Sequence, residues 1–145
     1  IPLDRLDMGE GRILVVDDDP FYLDIIPSAL TRFAEYTVLT ASTGFDAGAL
    51  VVQYNPQLVI LDIHLSDIDG RMVCKRVKDR PETRHSRVLA ISGYLDEIEM
   101  RQLSQYGFDG CLKKPFGLAE LEAAVRRLID KPPGSVANAK PSYFK

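Results

Sequence analysis

Arg12-Ile13-Leu14-Val15-Val16-Asp17-Asp18-Asp19-Pro20 changes character in one step: a basic residue, four branched apolar residues, three carboxylates, then a proline. The apolar run shows no polar alternation, which is the pattern of a strand covered on both faces, and such strands belong to parallel sheets flanked by helices. Asp19 before Pro20 is a helix start: an acidic N-cap, then a residue whose fixed φ suits the first helical position. The stretch therefore predicts a strand, an acidic edge and a helix in immediate succession. Three further runs are built the same way. Leu58-Val59-Ile60-Leu61 ends in Asp62, Val88-Leu89-Ala90-Ile91 ends in Ser92, and Cys111-Leu112-Lys113 leads into Lys114-Pro115. Open parallel sheets bind ligands beyond the carboxyl ends of their strands. Carboxylates, a hydroxyl and an ammonium are thus expected to converge on one edge, a donor set suited to a hard cation and a phosphoryl group.

Working outward, short β-branched runs at 13–16, 36–40, 58–61, 88–91 and 109–113 alternate with longer helical stretches. That alternation predicts an α/β fold, a parallel sheet between two helix layers with right-handed crossovers. The last helix is the clearest, because Leu118, Leu121, Val125, Leu128 and Ile129 recur at helical spacing while Glu120, Glu122, Arg126 and Arg127 fall elsewhere. Gly107 is expected to close the fourth helix as a left-handed cap. Pro27 lies inside the pattern Phe21–Ile25–Ala29–Phe33. An interior proline removes a donor and crowds the carbonyl four residues back at a cost of ~3 kcal/mol, so a kink or an irregular turn is expected there.

The chain has 145 residues, 46% hydrophobic and 27% charged, which is ordinary for one globular domain with a real core. Residues 11–131 are expected to form that domain. Residues 1–10 read as a leader or upstream linker, and residues 132–145, with Pro132, Pro133, Gly134 and Pro141, as a flexible tail or linker. Eighteen basic and 21 acidic residues give a net charge of −3, and the densest basic pair on a helix is Arg126-Arg127. This excludes the clustered basic face that direct nucleic-acid binding needs. Cys74 and Cys111 have neither metal-ligand spacing nor a disulfide framework around them. No apolar run reaches the ~18 residues of a membrane span, and no signal segment opens the chain. The expectation is a reduced, cytoplasmic chain with no membrane contact.

Five words in order, Ile13-Leu-Val-Val-Asp-Asp-Asp19, Leu58-Val-Ile-Leu-Asp62, Asp69-Gly70, Ala90-Ile-Ser92-Gly93 and Lys113-Lys-Pro-Phe116, carry a resemblance over residues 11–130. The chain resembles the receiver domain of two-component response regulators. The resemblance implies a flavodoxin-like, doubly wound, five-stranded parallel sheet in the order 2-1-3-4-5 with five helices. It assigns Asp62 as the phosphoacceptor, with Ser92 and Lys114 contacting phosphoryl oxygens. It places Mg²⁺ on Asp18 and Asp62 directly, on Asp17 through water, and on the backbone carbonyl of His64. It implies a cis bond before Pro115. As partners it implies a histidine kinase or histidine phosphotransfer protein as donor, and an output domain or downstream protein as receiver of the signal. It also allows a homodimer through helix 4, strand 5 and helix 5.

Three departures from the family pattern stand out. Ser66 replaces a usual proline, which is expected to leave its loop less restrained. Tyr94 lies two residues beyond the hydroxyl at Ser92, and with His64 it should crowd the mouth of the site. Cys111 stands where a rotating Tyr or Phe is usual, and Tyr94 is expected to pack toward the space it leaves in at least one state of the switch. Two other classes compete. A haloacid-dehalogenase-like phosphatase needs a second aspartate two residues after the nucleophile, but that residue is His64. A phosphorylation-independent interaction module of the same fold remains open because of Cys111.

Overall fold

The computed structural model describes residues 11–33 and 36–130. The expected leader at 1–10 and the tail at 132–145 lie outside the described residues. The elements alternate strictly: β1 (Arg12–Val16), α1 (Pro20–Phe33), β2 (Thr37–Ala41), α2 (Gly44–Tyr54), β3 (Leu58–Asp62), α3 (Gly70–Asp79), β4 (Arg87–Ser92), α4 (Glu97–Gln102), β5 (Gly110–Lys113) and α5 (Leu118–Ile129). All pairings are parallel and the strand order is β2-β1-β3-β4-β5, as the resemblance implied.

Side chains of a strand point alternately to its two faces, and the core divides accordingly. Leu14, Val16, Val59, Leu61, Val88 and Ala90 face one layer with Ala47 and Val51 of α2 and Val73, Cys74 and Val77 of α3. Ile13, Val15, Leu58, Ile60, Leu89 and Ile91 face the other, with Ile26 and Leu30 of α1 and Leu121, Val125 and Leu128 of α5. Every residue of β1, β3 and β4 is buried. The unbroken apolar runs are therefore the signature of a sheet covered twice.

α1 continues through Pro27 as one helix, and of the two alternatives expected there the irregular turn is not formed. The proline's ~3 kcal/mol is set against Ile26 and Leu30, which are wholly buried on the same helix and each contribute ~1.5–3 kcal/mol by leaving water. Burial wins. Gly107 does adopt a left-handed conformation, φ 102°, but what it closes is a 3₁₀ turn, Leu103–Tyr106, that extends the six-residue α4. The helix itself starts cleanly, on a capping box made by Asp96 and Glu99. Among the described residues, no helix is long and apolar enough to cross a membrane.

Candidate functional site

The parallel register puts the C-terminal ends of β1, β3, β4 and β5 side by side, Val16 against Leu61, Asp62 against Ile91 and Ser92 against Lys113. The residues that follow those strands therefore meet without any long-range element to guide them. Asp17, Asp18 and Asp62 each bring a carboxylate oxygen within 4.8 Å of the others. Lys114 reaches across from the end of β5 and donates to Asp17 Oδ2 at 2.7 Å and to Asp62 Oδ2 at 3.3 Å. A cleft of about 400 Å³ opens above them, lined by Asp18, Asp19, Tyr22, Asp62, His64, Gly93, Tyr94 and Lys114.

The two inner carboxylates are held by backbone. Asp17 is fully buried, and its Oδ1 accepts the N–H of Asp19 at 2.9 Å. Asp62 Oδ1 accepts the N–H of His64 at 3.0 Å. Asp18, by contrast, is exposed at the cleft. Burial raises the pKa of Asp17 to about 6, helped by the charge of Asp62, and the hydrogen bond from Lys114 limits the rise. Burial opposes the charge on Lys114 too, yet its hydrogen bond to Asp17 and the negative charges of Asp62 and Asp17 outweigh that, and its pKa goes up. The Lys114 ammonium thus lies between the Asp17 and Asp62 side chains, with Asp18 exposed beside them.

The structure brings Asp17, Asp18, Asp62 and Lys114 together. Ser92 ends the neighbouring strand but is fully buried beneath the cleft, where its Oγ accepts the N–H of Tyr94 at 3.1 Å. His64 is exposed at the mouth, and its ring lies edge-on to Tyr94, with centroids 5.6 Å apart. Asp19 accepts the N–H of Phe21 at the start of α1, the capping role expected of it. The Lys114-Pro115 bond is cis.

The surroundings of the three departures are as follows. Tyr94 does not pack toward Cys111 in this structure. It is 80% exposed and rests on His64. Cys111 is buried and belongs to the core cluster that also holds Leu95, Leu103 and Phe108. The loop that carries Ser66 is tied to a neighbouring helix. Asp67 accepts the N–H groups of Gly44 and Phe45 at 2.9 and 3.0 Å, fastening the β3–α3 loop to the first turn of α2. The Gly44 hydrogen bond is the main reason the Asp67 pKa is lowered. Sequence reasoning had no signal for this clamp, because helix starts are read from neighbouring residues and Asp67 lies 22 residues from Phe45 along the chain. It also missed Tyr22, whose ring lies 4.0 Å from the Lys114 ammonium.

The response regulator receiver domain family model matches residues 13–126. Over 118 residues the chain is 36% identical to the DNA-binding dual master transcriptional regulator RpaA of Synechocystis, covering 81% of this chain and 48% of that protein. It is also 36% identical over 118 residues to the response regulator PleD of Caulobacter vibrioides, covering 26% of the latter. The chain thus spans about half or less of the length of these relatives. Among solved structures, the signal receiver domain of a DNA-binding response regulator from Colwellia psychrerythraea superposes with a TM-score of 0.79 at 28% identity, covering 84% of this chain and all of that one.

Proposed function

This chain belongs to the response regulator receiver domain family, and from that premise we propose that it is a phosphoacceptor switch with Asp62 as the accepting residue. The observation that carries the reading is the cleft itself: a carboxylate at the end of β3, flanked by two acids and one ammonium within reach of a single phosphoryl group. Such domains are regulatory rather than catalytic. In this reading an oxygen of Asp62 bonds to phosphorus as the donor's nitrogen–phosphorus bond breaks, and the donor histidine keeps the electron pair. In-line transfer asks mostly for positioning and charge neutralisation, which this cleft is built to give.

Receiver domains hold Mg²⁺ at their acidic site, and the donor set here fits that ion: hard carboxylate oxygens converge, while one face stays open for waters and phosphate. Asp18 and Asp62 would bind it directly, with the carbonyl of His64. Both oxygens of Asp17 are already engaged by Lys114 and the Asp19 N–H, which suits contact through water. When bound, the ion offsets the charge accumulating between Asp62 and the incoming phosphoryl group. Lys114 would then exchange a carboxylate for a phosphoryl oxygen, and Ser92 would turn its hydroxyl from Tyr94 toward another. The signal is a population shift between two conformations, passed through α4, β5 and α5 to an output domain, a partner protein or a second copy. The donor is a histidine kinase or histidine phosphotransfer protein.

Incubation with acetyl phosphate and Mg²⁺ tests the assignment by intact mass. The wild type should gain one phosphoryl group, Asp62→Asn none, and Asp19→Asn nearly as much as wild type. A phosphoryl adduct on Asp62→Asn would refute it, as would unimpaired uptake by Asp18→Ala for the cation site.

A further inference from the structure

We propose that Tyr22 is a positioning residue for Lys114, its ring face holding the ammonium over the Asp17–Asp62 pair so that phosphoryl uptake depends on the ring and not on the phenol hydroxyl. The inference rests on the reading of Asp62 as phosphoacceptor and of Lys114 as a phosphoryl contact.

The geometry is a three-sided enclosure. Lys114 Nζ is 2.7 Å from Asp17, 3.3 Å from Asp62 and 4.0 Å from the centroid of the Tyr22 ring. The lysine side chain is only 13% exposed, so water screens that contact poorly, and desolvated cation–π pairs are the strong ones. The ring is itself fixed. Tyr22 sits in the first turn of α1, where its N–H donates to Asp19. Phe21 meets its ring edge-on at 5.1 Å, and the ring of Phe116 lies tilted against it at 5.9 Å. Phe116 comes two residues after Lys114, so ring and ammonium are tied to the same loop.

A ring face suits the task better than a third hydrogen-bond acceptor. An acceptor would hold the ammonium at one angle, whereas attraction to a ring quadrupole tolerates sliding. Lys114 has to leave a carboxylate when a phosphoryl oxygen arrives, and over a ring it does so without losing its third partner. Nothing else about Tyr22 demands a tyrosine, since the apolar packing on Phe21 and Phe116 would be met by leucine or methionine.

The test follows phosphorylation by acetyl phosphate with Mg²⁺, in which acetate leaves as the Asp62 oxygen–phosphorus bond forms. Tyr22→Phe should stay within about twofold of wild type, and Tyr22→Leu and Tyr22→Met should each slow uptake about tenfold. In a Lys114→Ala background, Tyr22→Leu should add nothing, because the partner it positions is gone. The proton signals of the Lys114 ε-methylene should be shifted upfield by the ring in wild type and Tyr22→Phe, and return to ordinary values in the other two. Wild-type rates in both Tyr22→Leu and Tyr22→Met, a loss in Tyr22→Phe equal to theirs, or an undiminished effect of Tyr22→Leu without Lys114 would each overturn the proposal. Should one apolar variant not fold, the other decides. If the wild type takes up no phosphoryl group on Asp62, the reading of the site fails, and the upfield signal still decides whether the ring holds the ammonium.

Discussion

Asp17 sits where three demands meet: burial, a neighbouring carboxylate and an ammonium 2.7 Å away. Its pKa of about 6, raised mainly by burial, gives a signed expectation for cation binding. A cation at this site needs the ionised carboxylate, so binding weakens as pH falls through 6 and the proton returns. Taken alone, the same group works in the opposite sense on the metal-free fold, since a raised acid pKa means the folded state holds a proton the unfolded state has lost. The rise in Tm on adding Mg²⁺ should therefore be clear at pH 7.5 and small at pH 5.5, read by thermal unfolding with and without the ion. An equal rise at both pH values would remove Asp17 from the cation site. At the mouth, the His64 and Tyr94 rings lie against each other 5.6 Å apart, beside the path of a water attacking an acyl-phosphate. The double substitution His64→Asn with Tyr94→Glu should speed loss of the phosphoryl group severalfold, followed by mass spectrometry after removal of donor. Unchanged or slower decay would show that the rings do not shield the bond.

At the scale of elements, the β3–α3 connection places the site. β3 delivers Asp62, and the chain then turns back so that His64 bridges Asp69 and the N–H of Gly70 donates to Ile63 at 2.8 Å. A Cβ at Gly70 would come within 2.5 Å of the Asp62 carbonyl and 2.7 Å of Ile63 Cα. Both are backbone and neither can rotate away. Gly70→Ala should destabilise the domain by ~1–3 kcal/mol, the usual range for overpacking, and slow phosphorylation by moving Asp62. Urea unfolding checks the first and acetyl phosphate uptake the second. A variant as stable as wild type would mean that the loop has slack the structure does not show. The Asp67 clamp holds the far end of this loop on α2, so a proline at position 66 is not the only way to restrain it.

Across the whole molecule, exposed apolar surface borders the cleft on one side. Phe21 and Leu118 are 59% and 48% exposed, and with Ile25 and Phe116 they line a shallow groove between α1 and the start of α5. A phosphodonor protein approaching Asp62 would land beside this surface, whereas acetyl phosphate would not need it. Leu118→Ala should thus slow transfer from a phosphorylated donor protein about tenfold, a loss of ~1.4 kcal/mol, if the donor covers this surface. It should leave acetyl phosphate uptake close to wild type. Parallel loss with both donors would assign the effect to the site rather than to docking. The chain spans about half or less of the length of the relatives it matches.

The sequence by itself determined the sheet, its order through the family resemblance, and four of the charged groups at its edge. It could do so because burial on both faces writes an unbroken apolar run, and because the residue after such a run must lie at the sheet's carboxyl edge. Asp17, Asp18, Asp62 and Lys114 were legible for that reason. Only the tertiary structure decided what lies between elements. Helix α1 passes through Pro27 because Ile26 and Leu30 are buried beside it. Cys111 joins the core cluster that holds Leu95, Leu103 and Phe108, while Tyr94 stays outside and rests on His64. Asp67 caps a helix from 22 residues away, and Tyr22 meets Lys114 from the opposite end of the chain. Local pattern records which face of an element is dry; which side chains meet across the gap depends on how those faces pack, and no single segment carries that information.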